Sequence, residues 1–300
     1  MRALITIPHF VADGDGYYGS TGANRAARAA GLAETILALH RSLGADQSLL
    51  LNRRANVRVR ANRAAESVLD VVVCTTGGRH ALDGLALPAG AWRHHATAAE
   101  PPLLGFECHA VLAAHADAYD WYGYLEDDLQ VEDPLILAKL GWFRDVAGGD
   151  ALLLPNRFEV LPDSPEKLYI DGHLDPGFAG RWQDVRDRPG LQGRVLGMPV
   201  TFWRPNNPHA GCFILSADQM RHWAAQPHFL DRDTAFAGPL ESAATLGALK
   251  TFRIYKPAPD SAGFLEVRHR NNRYLGHWLS HPEVPRDPTW VQGGTPIRQR

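Results

Sequence analysis

The chain has 300 residues, 45% of them hydrophobic and 21% charged, an ordinary globular composition that allows a large core in an α/β domain. Lys plus Arg total 31 against 33 Asp plus Glu, a balance of −2, which asks for no nucleic acid partner. Cys74, Cys108 and Cys212 are too few and too scattered for a disulfide framework or a Cys-based zinc site, and with no signal peptide at the N-terminus and no transmembrane segment the expectation is a cytoplasmic protein of unspecified oligomeric state.

Ala3 to Ile7 is a β-branched run stopped by Pro8, which predicts a buried first strand. The Gly-, Asp- and Tyr-rich segment His9 to Thr21 follows at that strand's carboxyl end and is a candidate ligand loop. Leu32, Ile36, Leu39 and Leu43 share one face of a helix that Gly44 stops. Ser48 to Leu51 predicts a second strand. Asn52 to Arg63 then carries Arg53, Arg54, Arg58, Arg60 and Arg63, which reads as a solvated basic face or as a grip on a diphosphate. Val68 to Thr75 is almost continuously apolar, as in a strand covered on both faces of a parallel sheet. Leu82 to Leu87 reads as a short strand or turn, His94-His95 as surface, and Leu104 to Ala116 as a helix.

Next comes an aromatic, apolar run, Trp121 to Leu125, that ends abruptly in Glu126, Asp127 and Asp128. Open α/β sheets bind ligands at the carboxyl ends of their strands. Three adjacent acids repel one another and call for a counter-charge, most simply a divalent cation held by oxygen ligands, hence Mg²⁺, Mn²⁺ or Ca²⁺. The plainer alternative is a solvated acidic turn. Asp133-Pro134 predicts a helix start, Ile136, Leu140 and Phe143 its buried side, and Gly148-Gly149 its end. Ala151 to Leu154 is another strand.

From Asn156 to Pro205 no periodicity stands out, and Tyr169, Trp182, Phe202 and Trp203 are scattered through it. A connection this long is expected to be functional or disordered, and its flat aromatic faces suit sugar rings. Asp171, His173 and Asp175 read as a Gly-containing turn or as a metal cluster. Asn206 to Leu215 is a turn feeding a strand, with Asn207 and His209 placed to meet hydroxyl groups. Ser216 caps the next helix, and Gln219 completes a capping box. A helix starts at Pro239 with Glu241 in its first turn, where the helix dipole favours an acid in any case. Strands at Thr251 to Tyr255 and Phe264 to Val267 follow, the last running into Arg268-His269. Lys256 reads as a strand-end charge or as a phosphate contact.

Strands alternating with helices, and the acids of Tyr124-Leu-Glu-Asp-Asp-Leu129 after a central strand, resemble the GT-A fold of nucleotide-sugar-dependent glycosyltransferases with its DxD-type motif. Glu126 stands where that motif more often begins with Asp, which leaves the metal mainly to Asp128. The resemblance implies one α/β domain over residues 1–280, with a mostly parallel central sheet flanked by helices. Residues 1–128 would form its nucleotide-binding half, 129–280 its acceptor-binding half, and 281–300 a Pro-rich tail. It implies Mn²⁺ or Mg²⁺ held by Asp128 and a late histidine, His269 or in competition His209. The donor would be a nucleoside-diphosphate sugar touched by His9, Tyr18, Glu126 and Asp127, and the acceptor a hydroxyl group bound near Trp203, Asn207 and His209. Glu241 would be the general base of an inverting transfer. No Gly-x-Gly-x-x-Gly follows the first strand, against a dinucleotide enzyme. The other classes to weigh are a metal-dependent phosphohydrolase, which would enlist Asp171, His173 and Asp175, and a non-catalytic binding module of the same shape.

Overall fold

The computed structural model describes residues 1–12, 25–62, 66–161, 165–270, 272, 274–278 and 295–296. Tyr18, Arg63 and most of the Pro-rich tail lie outside them. The chain begins with β1 (Arg2–Pro8), α1 (Arg25–Leu43), the pair β2 (Ser48–Asn52) and β3 (Val57–Ala61), β4 (Val68–Thr76) and β5 (Arg93–Thr97). It continues through α2 (Leu104–Ala114), β6 (Trp121–Leu125), β7 (Leu129–Gln130), α3 (Ile136–Ala147), β8 (Ala151–Leu153), β9 (Asn156–Val160) and β10 (Lys167–Tyr169). Then come α4 (Pro176–Ala179), β11 (Gly190–Val195), β12 (Met198–Trp203), β13 (Cys212–Ser216), α5 (Ala217–Ala224) and α6 (Pro239–Thr251). The last elements are β14 (Arg253–Pro257), β15 (Glu266–His269), α7 (Leu275–Trp278) and β16 (Thr295–Pro296).

The central sheet has the order β13-β6-β1-β4-β5. β6, β1, β4 and β5 run parallel, and only β13 at the edge is antiparallel. This is the mixed α/β architecture with a mostly parallel sheet that the sequence predicts. Its inner strands are the continuous apolar runs, since a strand covered on both faces has no position to give to water: Leu4, Ile5, Ile7, Val71 and Val73 are all buried. Gly123 lies in β6 because β1 comes so near that a Cβ there would stand 2.5 Å from Ile5 Cδ1. On one side α2 and α6 are joined through His109, whose Nε2 lies 3.0 Å from the Ala243 carbonyl and whose ring meets Trp223 edge-on at 4.9 Å. Burial holds this imidazole neutral, its pKa down at about 4. Among the described residues, no helix is long and apolar enough to cross a membrane.

The structure corrects two expectations. The stretch 156–205 is not a structureless connection. It supplies β9 to β12, which join two further sheets of orders β10-β9-β15-β7 and β16-β11-β12-β14-β8. Its strands are short and paired with distant partners, so no local period announces them. The second strand expected at Ser48 is present as β2, paired with β3. The third helix starts at Ile136, later than Asp133-Pro134, although Asp133 Oδ1 accepts the Leu135 N–H at 2.8 Å. The capping box of Ser216 and Gln219 is present as predicted.

Candidate functional site

Because β6, β1 and β4 are parallel, their carboxyl ends emerge together, and the acidic motif leaves the sheet there. Its backbone is pinned from several sides. Glu126 N–H donates to Gly211 O at 3.0 Å, Thr35 Oγ1 to Asp127 O at 3.1 Å, and Arg270 N–H to Asp128 O at 3.0 Å. The three side chains, fixed at their base, point to three different sets of partners.

Asp128 faces His269. β15 pairs with β7, placing His269 opposite Leu129 in the register, one residue beyond the motif. His269 Nε2 is 3.4 Å from Asp128 Oδ2, and its Nδ1 is 2.7 Å from Glu159 Oε1 on the neighbouring β9. Burial would raise the Asp128 carboxyl, but the hydrogen bond and charge of His269 outweigh it and hold its pKa at about 2. Burial would lower His269, but its two carboxylate partners raise it to about 9. Without other ligands the ring is therefore an imidazolium between two carboxylates. The Asp128 side chain keeps 22% of its surface exposed, so it is neither walled off nor free in solvent.

Glu126 points into the protein. Its Oε2 is 3.6 Å from Arg157 Nη1, and its Oε1 is 3.9 Å from His209 Nε2. Burial, helped by the charges of Asp128 and Glu241, pushes its pKa up to about 8 against the pull of Arg157 and His269. Glu126 Oε1 is buried with no hydrogen-bond partner among the described residues, and so is Glu241 Oε2. Each acts on the other electrostatically, and both on the buried Tyr124 hydroxyl. Buried acceptors without donors are costly, and native proteins keep them mainly where a ligand or water serves them. Behind them Arg157 Nη2 donates to Asp171 Oδ1 at 2.7 Å and Lys256 Nζ to Asp171 Oδ2 at 2.8 Å. Burial raises Asp171, but the two cations hold it far below the usual carboxylate range. Gly211, at φ +62°, lets the chain pass so near that a Cβ would stand 2.6 Å from Glu126 Oε2.

Asp127 turns the other way. Its Oδ2 lies 2.5 Å from both His9 Nδ1 and Arg28 Nη2. His9 Nε2 also accepts the Ala81 N–H at 3.2 Å, and the residue has no exposed surface. Both ring nitrogens are thus engaged inside the protein. His9 and Asp127, expected to touch the donor, instead lock α1 to the motif and to the loop after β4.

The remaining predicted residues divide. His209 joins the site, with Nδ1 2.9 Å from Thr245 Oγ1, and burial and Arg157 push its pKa well below the usual value. Asn207 Nδ2 donates to Gly172 O at 3.0 Å and its Oδ1 accepts the His209 N–H at 3.3 Å, so it ties two loops. Trp203 meets His173 edge-on at 4.9 Å. Lys256 is no strand-end phosphate contact but a buried partner of Asp171. Asp171 is taken up by those cations and His173 by Asn206 at 3.2 Å, so the alternative metal cluster does not assemble. Among the described residues no group of three or more His, Cys, Asp or Glu side chains is arranged to hold a metal. Asp128 and His269 form a pair. Glu159, Arg157 and Arg28 escaped the sequence reading. The one signal for the first two was charge at alternate positions of Asn156–Val160, which puts both on one face of a strand.

No protein-family model matches the chain, and no curated protein matches it. Similar solved structures include a CMP:2-keto-3-deoxy-manno-octonic acid synthetase complexed with CTP, 14% identical over 86% of this chain and 92% of that one, with a TM-score of 0.35. Another is an active-site mutant of LgtC, 12% identical over 97% of this chain and 81% of that one, with a TM-score of 0.37. At such identities and scores the likeness adds nothing to the site's chemistry, and the α/β architecture stands on the sheet order alone.

Proposed function

We propose that the chain is a glycosyltransferase that moves a sugar from a nucleoside-diphosphate sugar to an acceptor hydroxyl with the help of Mn²⁺ or Mg²⁺. One observation carries this reading. Asp128 and His269 approach to 3.4 Å at the carboxyl end of the sheet, and Glu126 of the same motif has a buried Oε1 without a hydrogen-bond donor among the described residues, as has Glu241 Oε2, whose charge acts on Glu126. A carboxylate and an imidazole are a donor set for Mn²⁺. Two protein ligands leave coordination positions for diphosphate oxygens, whereas a closed structural site would fill them. A divalent cation bound there would neutralise the charge that develops on the departing diphosphate.

The protein's own groups would do the rest. Holding a cation through Nε2 would require His269 to be neutral there, while its Nδ1 would keep its proton and donate it to Glu159 Oε1, which holds the ring in place. Glu126 Oε1 accepts a hydrogen bond from a donor-sugar hydroxyl. Glu241 Oε2 takes the proton of the acceptor hydroxyl as its oxygen bonds to the anomeric carbon and the bond to the diphosphate breaks, with inversion. Such a base contributes on the order of 10²–10⁴-fold. Residues 1–128 would serve the nucleotide, and 129–280 the acceptor, with Trp203 and His209 on the acceptor's side. The test is a transfer assay over a panel of nucleotide sugars with Glu241→Gln beside the wild type. The reading expects nucleotide binding to persist in the variant while transfer falls by at least about 100-fold. Near-wild-type turnover removes the base, and donor binding without turnover under any acceptor makes the protein a binding module.

A further inference from the structure

Between α1 and β4 the chain forms a hairpin that stands outside the three larger sheets. Among the described residues β2 and β3 pair only with each other, with Leu50 opposite Val59 and Leu51 opposite Arg58. Alternation puts Leu50, Val57 and Val59 on one face and Leu49, Leu51, Arg58 and Arg60 on the other. Among the described residues neither face is covered: the three leucines are each more than half exposed, and both valines are exposed too. A sheet normally buries one face against another layer, and a lone two-stranded hairpin is marginal in water. Contiguous exposed apolar surface of this kind marks a contact site.

Charge says what the contact is with. Residues 48–61 contain Arg53, Arg54, Arg58 and Arg60 and no acid, a local charge of +4 in a chain whose balance is −2. Arg60 is held by Asp46 at 2.6 Å, and the other three have no acidic partner among the described residues. A second copy of the hairpin would set arginine against arginine. A nucleic acid would meet the arginines but find no aromatic ring to stack on and a hydrocarbon surface of no use to it. An anionic bilayer surface meets both demands, since headgroup phosphates face the arginines while the acyl boundary takes the aliphatic side chains.

We propose that this hairpin is a docking arm that lies in the headgroup layer of an anionic membrane, with Leu50, Val57 and Val59 turned toward the acyl chains. It rests at the interface and goes no deeper, because its outer edges carry backbone groups that hydrocarbon cannot satisfy. The proposal is independent of the sugar-transfer reading.

The test is sedimentation of the full chain with vesicles of phosphatidylcholine alone and with added phosphatidylglycerol. Binding is expected only with the anionic lipid and is expected to weaken with salt. Arg53→Glu, Arg54→Glu and Arg58→Glu together should weaken it at least about 100-fold, at roughly fivefold per arginine. Leu50→Asn with Val59→Thr should also weaken it, at unchanged melting temperature. No binding to anionic vesicles, equal binding to neutral ones, or undiminished binding by either variant overturns the proposal. So does a dimer that both variants dissolve. Should a variant melt early, trypsin decides on the wild type: anionic vesicles, and not neutral ones, should protect the bonds after Arg53 and Arg54, and equal cutting in both overturns the arm.

Discussion

Glu159 Oε1 lies 2.7 Å from His269 Nδ1, and this contact decides which nitrogen of the ring faces Asp128. Glu159 has no exposed surface, and its Oε2 also accepts the backbone N–H groups of Tyr274 at 3.0 Å and Leu275 at 2.8 Å. One carboxylate therefore orients the imidazole and anchors the chain beyond β15. Outer-shell carboxylates of this kind tune metal-binding histidines.

Glu159→Ala would strand two backbone donors and a buried imidazolium. Urea unfolding should show a loss of about 3–5 kcal/mol. Glu159→Gln keeps acceptors for the chain but weakens the hold on the ring. It should cost on the order of 1–3 kcal/mol and reduce Mn²⁺ affinity roughly 10–100-fold, read by the paramagnetic resonance of free Mn²⁺. Unchanged affinity would separate Glu159 from the metal.

Gly211→Ala tests the tight passage beside the motif. The residue sits at φ +62°, and the added methyl would stand 2.6 Å from Glu126 Oε2. Left-handed backbone and overpacking together predict a loss of about 1–3 kcal/mol. Chemical denaturation within a few tenths of wild type would mean that Glu126 swings aside freely.

Acid stability should report Asp171. Arg157 and Lys256 hold its folded pKa far below the unfolded value, which is about 3.9. Its contribution is therefore complete above the unfolded pKa and is lost as pH falls through the folded one. Asp171→Asn leaves two buried cations without a charged partner, which predicts about 3–5 kcal/mol of destabilisation at neutral pH. The difference from wild type should shrink in acid, measured by urea unfolding from pH 7 to pH 2. A gap that widens in acid would contradict the pairing.

Glu126 predicts the opposite sign. Its folded pKa, pushed up by burial to about 8, lies above the unfolded value, about 4.3. Its contribution is present below the unfolded pKa and is lost as pH rises through the folded one. In metal-free protein, Glu126→Gln should raise the melting temperature at pH 9 and matter little at pH 5. A variant that melts lower at pH 9 would show that Arg157 outweighs the burial.

Much of this was legible in the sequence where local rules govern. The run Trp121–Leu125 announced a strand by its apolar continuity, so the acids after it had to leave at the sheet's end. Ser216 and Gln219 announced a helix start because a capping box is a purely local set of hydrogen bonds. What stayed hidden depends on partners far along the chain. Asp127 looked like its neighbours until α1 brought Arg28 to within 2.5 Å. Lys256 looked like a surface charge because nothing nearby in the sequence reveals Asp171, 85 residues away. His9 sat in a segment of ligand-loop composition, yet its ring is spent on Asp127 and Ala81.

The central claim is that Asp128, with His269, provides a seat for a cation that binds a nucleoside diphosphate. Calorimetry of uridine and guanosine diphosphates with and without Mn²⁺ tests it, using wild type and Asp128→Ala. The account predicts that one of the nucleotides binds wild type only when Mn²⁺ is present, and that Asp128→Ala loses this binding while its unfolding curve stays close to wild type. Mn²⁺-dependent binding of equal strength in a folded Asp128→Ala protein would contradict it.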